Sequence, residues 1–190
     1  MDKSRASAVA ALLVTAFAVV YAAGSAVAGW EPSSGWLLQA LIHLGELAAV
    51  AALALSDAAV RGRLGRAGLA VAAAGQAVMV AAEIIWPRNE DLGNALFGVG
   101  PILTGAGLIA AGVTVVRARA WSGAARFLPI GLGTYTIFVL IPVMIGSGGP
   151  PAPLALWTIA GWDAVFFALA ACVLARAGSA ATATPKVTVR

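Results

Sequence analysis

The sequence predicts an all-α integral membrane protein, a six-span transmembrane helix bundle with both termini on the cytoplasmic side. Three observations carry this. The 190 residues are 61% hydrophobic and only 11% charged, whereas soluble domains carry roughly 25% charged residues. Six stretches reach the ~20 apolar residues that a membrane-crossing helix needs. Eleven of the twelve Lys and Arg residues fall in four clusters that alternate with those stretches: Lys3/Arg5, Arg61/Arg63/Arg66, Arg117/Arg119/Arg126 and Arg176/Lys186/Arg190. Arg88 is the exception. Cytoplasmic loops collect Lys and Arg, so the clusters place both ends of a multi-pass protein inside, and ten Arg against two Lys, with abundant Ala and Gly, point to a high-GC bacterial source and its plasma membrane.

The spans are read as 6–28, 34–55, 64–86, 92–116, 127–145 and 154–175. The first begins after Lys3 and Arg5 and ends at Ala26-Val27-Ala28, which resembles a signal-peptide cleavage site. Its apolar run exceeds the roughly 7–15 residues of such a segment, so it is expected to be retained as a span. Breakers bound the second, third and fourth spans: Pro32-Ser33-Ser34 before the second and Pro87 through Asp91 between the third and fourth. The fourth span carries Gly98, Gly100, Gly105, Gly107, Gly112 and Pro101; the fifth carries Pro129, Gly131, Gly133 and Pro142. Small residues let membrane helices approach closely and prolines kink them. Either tight packing or a broken helix beside a cavity fits this pattern. The sixth span follows Gly146 through Pro151. Trp30, Trp36, Trp86 and Trp157 fall near outer span ends, as an interfacial aromatic belt does. Residues 1–178 form one six-helix domain in this reading, and 179–190 a mobile cytoplasmic tail. A three-plus-three inverted repeat fits the topology, but no internal similarity is visible.

Composition removes several function classes. The positive charge is an orientation signal rather than a nucleic-acid-binding face. A single cysteine, Cys172, excludes an internal disulfide and a CxxC pair. One histidine cannot ligate haem from both sides, and His43 with Glu46 alone is an incomplete zinc site. No cofactor or metal is expected.

What remains are four ionisable residues inside apolar spans, His43, Glu46, Glu83 and Asp163. Such groups cost roughly 2.5–3.5 kcal/mol each on insertion scales and mark functional positions. At about 1.5 Å per residue, His43 and Asp163 lie some 13 Å below the outer end, Glu46 some 18 Å, and Glu83 some 5 Å. Gln39, His43 and Glu46 follow i, i+4, i+7 spacing and share one helix face, with His43 and Glu46 able to touch. Asp163 stands beside Trp162, one turn from Phe166 and near Trp157, where desolvation favours a neutral acid able to donate a proton. Gln76 lies two turns below Glu83, and Tyr135 is available to orient a ligand or meet a carboxyl. Polar residues in these positions also serve simply to join helices, and that reading stays open.

The preferred reading is an intramembrane enzyme that uses Asp163, Glu46 or Glu83 in acid–base roles, Asp163 or Glu46 as general acid and His43 or a second carboxyl as base, with Trp162, Trp157, Phe166, Tyr135, Gln39 and Gln76 around a lipophilic small-molecule substrate. Glu46 or Glu83 in an early span and Asp163 in the last, beside Trp162, resemble the small integral-membrane terpene cyclases of meroterpenoid and indole-terpenoid pathways. Those are compact multi-span proteins that use membrane-embedded Glu and Asp without a metal motif. The resemblance implies metal-independent, protonation-initiated cyclisation or isomerisation of an isoprenoid; this chain has one span fewer than the seven-span fungal members. The alternative is a proton-coupled small transporter or channel subunit, in which the staggered Asp, Glu and His residues form a relay and a homodimer supplies a second half. The third reading is a non-catalytic membrane accessory protein. The eleven clustered charges sharpen all three, because none remains inside the bundle to neutralise Glu46 or Asp163.

Overall fold

Six hydrophobic helices surrounded by lipid gain nothing from hiding apolar side chains, so close packing and hydrogen bonds must hold them together. A computed structural model of the chain describes residues 3–30, 32–56, 58–59 and 62–182. The helices are α1 (Lys3–Ala28), α2 (Gly35–Leu55), α3 (Arg63–Ile85), α4 (Glu90–Arg117), α5 (Leu128–Tyr135), α6 (Ile141–Ser147) and α7 (Pro153–Thr182). A 3-10 turn, Gly123–Phe127, leads into α5, and a π turn, Thr136–Leu140, joins α5 to α6, so that Gly123–Ser147 forms one span. All six spans are long and apolar enough to cross a membrane. No strand occurs among the described residues.

The spans form a ring in chain order. α1 lies between α2 and α7, α2 meets α3, α3 meets α4, α4 meets α5, and the fifth span closes on α7, while α2 also touches α7 across the interior. Alternating directions gather the basic segments at one end. At that end Ser4 Oγ donates to the Ala52 carbonyl, linking the start of α1 to the last turn of α2, and Arg176 Nη2 donates to Ser122 Oγ, linking the end of α7 to the loop before the fifth span. Arg88 at the other end is accounted for locally. It donates to the Ile84 carbonyl at 2.7 Å, satisfying an open group at the end of α3, and its guanidinium lies 5.8 Å from the Trp36 ring centroid.

Glu90 and Asp91, expected in a loop, form the first turn of α4. Asn89 caps that turn by accepting from the Leu92 amide at 3.0 Å, and the two acids complement the positive end of the helix. α4 then runs unbroken through Pro101, so its glycines mean packing rather than a break. Apart from Gly98, which meets nothing within 4 Å, the glycines named above fall on two faces. Toward α3, a Cβ on Gly68 would stand 2.7 Å from the Gly107 carbonyl oxygen, and one on Gly75 would stand 2.7 Å from that of Gly100. Toward α5, a Cβ on Gly133 would stand 2.5 Å from the Gly105 carbonyl oxygen. α4 is therefore held backbone to backbone on both sides.

The fifth span is where the regular helix fails. Pro142 has no amide hydrogen, and in a regular helix its ring would press on the carbonyl four residues back, Phe138. The chain widens instead: the Ile141 amide bonds the Thr136 carbonyl, five residues back. At the far end α7 continues to Thr182, four residues into the stretch read as tail. Residues 183–190, the rest of that stretch, lie outside the described residues, as do Arg61 of the second basic cluster and Glu31 of the first opposite loop.

Candidate functional site

The face of α2 predicted to carry Gln39, His43 and Glu46 does turn inward. His43 and Glu46 are buried and Gln39, one turn above, is half-buried. Gly45, between them, lets α1 come so close that a Cβ there would collide with Val14, which places α2 deep in the ring. His43 Nδ1 and Glu46 Oε2 are 2.7 Å apart, a hydrogen bond within one turn of helix. The other ring nitrogen, Nε2, faces Glu83 Oε1 of α3 at 3.7 Å. Glu83 was expected well above His43, but the reach of its side chain brings the two together, and its side chain is only 13% exposed.

Asp163, fully buried on α7, lies close enough to Glu46 for the two carboxyls to interact. Neither Asp163 oxygen has a hydrogen-bond donor among the described residues, nor does Glu46 Oε1. Two facing carboxylates that are both ionised offer only acceptors to each other; one proton between them makes a donor and an acceptor. The wider charge balance leads to the same place. Three carboxyls, Glu46, Glu83 and Asp163, meet one imidazole, and among the described residues no Lys or Arg stands within ion-pair distance of them. An unpaired charge in this setting is costly, so protons are the means of neutralising the cluster that these side chains supply.

The aromatic neighbours divide into two sets. Trp162, 2% exposed, donates from Nε1 to Thr136 Oγ1 at 2.9 Å, and Thr136 donates in turn to the Leu132 carbonyl at 2.8 Å. The indole ring meets His43 edge-on at 6.2 Å and the buried Phe166 at 5.1 Å between centroids. Trp162 thus locks the residue preceding Asp163 to the π turn and packs against the imidazole. Trp157 instead stands 52% exposed on the outside of α7, and the Tyr135 hydroxyl donates to the Thr158 carbonyl at 2.9 Å rather than meeting a carboxyl. Neither belongs to the cluster.

Gln76 of α3 lies seven residues from Glu83 and so on the same helix face. It is fully buried, and neither amide atom has a hydrogen-bond partner among the described residues. Thr104 of α4, which sequence reasoning passed over, is likewise buried with no partner for its hydroxyl. A single Thr in a glycine-rich helix reads as a packing residue, and only its closeness to Gly75 shows that it borders α3. A cleft of about 350 Å³ lined by Val50, Ala54, Arg66, Leu69 and Ala73 lies toward the basic end and does not touch the cluster. Among the described residues, no three His, Cys, Asp or Glu side chains gather around a point that a metal ion could occupy.

What the arrangement can do chemically is hold protons: His43 bonds Glu46 through Nδ1, its Nε2 stands 3.7 Å from Glu83, and Glu46 interacts with Asp163. Compared with protein-family models, with curated proteins and with solved structures, the chain matches none.

Proposed function

We propose that the protein is a proton-handling membrane protein, a small proton-coupled transporter or channel subunit in which Glu83, His43, Glu46 and Asp163 act as a relay. The observation that carries this reading is the imidazole held between two carboxyls through its two nitrogens. Glu83 gives a proton to Nε2; the Nδ1 proton passes to Glu46 Oε2, and the ring returns as the other tautomer. Glu46 then shares the proton with Asp163. The buried, unpartnered Gln76 and Thr104 offer polar groups farther along the interior. With the basic end facing the cytoplasm of a bacterial cell, Glu83 is the outward station and Asp163 the inner one.

Proteoliposomes with a trapped pH indicator and an imposed potential test this. The wild-type protein is expected to acidify the lumen, and the folded Asp163→Asn and Glu46→Gln proteins are expected not to. Absence of proton flux from folded wild-type protein, with or without added solutes, rejects the relay.

A second reading is general-acid catalysis on a lipophilic, isoprenoid-like substrate, favoured by the free Asp163 oxygens beside Trp162. It requires product from an isoprenoid in detergent solution, where no gradient exists, and loss of that product in Asp163→Asn.

A further inference from the structure

At the basic end, a cleft of about 470 Å³ opens between the loop before the fifth span and the last turns of α7, lined by Ser122, Cys172, Ala175 and Arg176. Arg176 is held in place there. Its guanidinium lies 5.3 Å from the centroid of the buried Trp121 ring, and its Nη2 stands 3.5 Å from Ser122 Oγ. Four residues after Ser122, Arg126 lies over the Phe127 ring at 4.7 Å, and its buried Nε has no hydrogen-bond partner among the described residues. Among the described residues no carboxylate pairs with either arginine, and from residue 92 to the end the only acid is Asp163, inside the bundle, against Arg117, Arg119, Arg126, Arg176, Lys186 and Arg190.

We infer that this cleft binds the phosphate of an anionic phospholipid. Arg176 presents a fork of donors suited to two phosphate oxygens, and its stacking on Trp121 means that little freedom is lost when they bind. Ser122 supplies a hydroxyl beside it. The level of the cleft selects the source of the phosphate. Arg176 closes the α7 span and Ser122 precedes the fifth, so both stand where headgroups lie. A lipid phosphate there leaves its chains in the bilayer beside α7. Basic clefts between spans suit anionic headgroups for the same reason. This site is independent of the proton relay and stands or falls without it.

Cys172, the only cysteine in the chain, lines the cleft and serves as the reporter. The full-length protein is reconstituted in phosphatidylcholine vesicles, with or without phosphatidylglycerol, and its reaction with a small water-soluble maleimide is timed. Labelling is expected to slow by about fivefold with phosphatidylglycerol, the worth of one interfacial arginine, and Arg176→Gln is expected to lose that slowing. Because the variant sees the same membrane surface, equal slowing in Arg176→Gln overturns the proposal, as do equal rates in both vesicles. Slowing by inorganic phosphate in phosphatidylcholine vesicles, without slowing by phosphatidylglycerol, assigns the cleft to a soluble anion and also overturns it. If Arg176→Gln fails to fold, native mass spectrometry of the wild-type protein decides: preferential retention of phosphatidylglycerol supports the site, and equal retention of both lipids rejects it.

Discussion

The α3–α4 and α2–α7 contacts are both interior helix pairs, built from opposite materials. α3 and α4 meet through Gly68, Gly75 and Gly107, where backbone stands against backbone, with the Met79 side chain seated on Gly100. α2 and α7 meet through Glu46 and Asp163, two carboxyls that lack a protein donor. The first contact has one satisfactory geometry, because added atoms have nowhere to go. The second changes character with each proton it gains or loses. Stability and chemistry are thus assigned to different helix pairs, and variants in each should fail in different ways.

The largest expected effect on folding is at Gly107. Its Cβ would collide with the Ala72 nitrogen and the Gly68 carbonyl oxygen, so Gly107→Ala should cost about 3 kcal/mol and be read as lost monodispersity and a lowered unfolding midpoint in detergent. Gly98→Ala and Gly131→Ala meet nothing within 4 Å and should leave the midpoint unchanged. If all three variants behave alike, close approach does not hold α4. Asp163→Asn is the converse: proton flux is expected to fall by about 100-fold or more, while the midpoint stays level or rises, because the amide can donate to Glu46. A collapse of the fold in that variant would make the α2–α7 contact structural and erase the distinction. Trp162→Phe should destabilise by about 1 kcal/mol, the worth of its bond to Thr136. Combined with Thr136→Val it should add little, whereas full additivity would show that the bond carries no energy. The smallest effect is Tyr135→Phe, about 0.5 kcal/mol and no change in flux, since its hydroxyl serves only the Thr158 carbonyl.

The spans were legible because hydropathy and arginine placement are properties of segments, insensitive to how helices are rotated. The His43–Glu46 pair was legible because it lies within one helix, where spacing alone decides contact. Contacts between helices were not. Counting residues placed Glu83 near the mouth, yet its side chain reaches to within 3.7 Å of His43 Nε2, because counting backbone positions takes no account of side-chain reach. The facing of Glu46 and Asp163 depends on the mutual rotation of α2 and α7, which neither span encodes alone. Tyr135 and Trp157 were drawn toward the site by their chemistry; the hydroxyl of one is taken by a backbone carbonyl, and the ring of the other faces outward. Pro142 announced a distortion, though not that the helix would widen to a π turn rather than bend.

That π turn divides the obligations of the fifth span. One extra residue in a turn shifts everything beyond it by about 100° around the helix axis. α5 buries Pro129, Leu132 and Gly133, whereas α6 buries no residue, and Ile145 is 78% exposed. A single span therefore contains a half that presses Ile130 and Gly133 against Gly112 and Gly105 of α4, and a half turned mostly outward. Exchanges at Ile145 should be nearly free, so long as they stay apolar, whereas Met144 still packs against the core. Deleting one residue between 136 and 140 would put both halves back in phase, turning toward the bundle a surface that was never shaped to fit it.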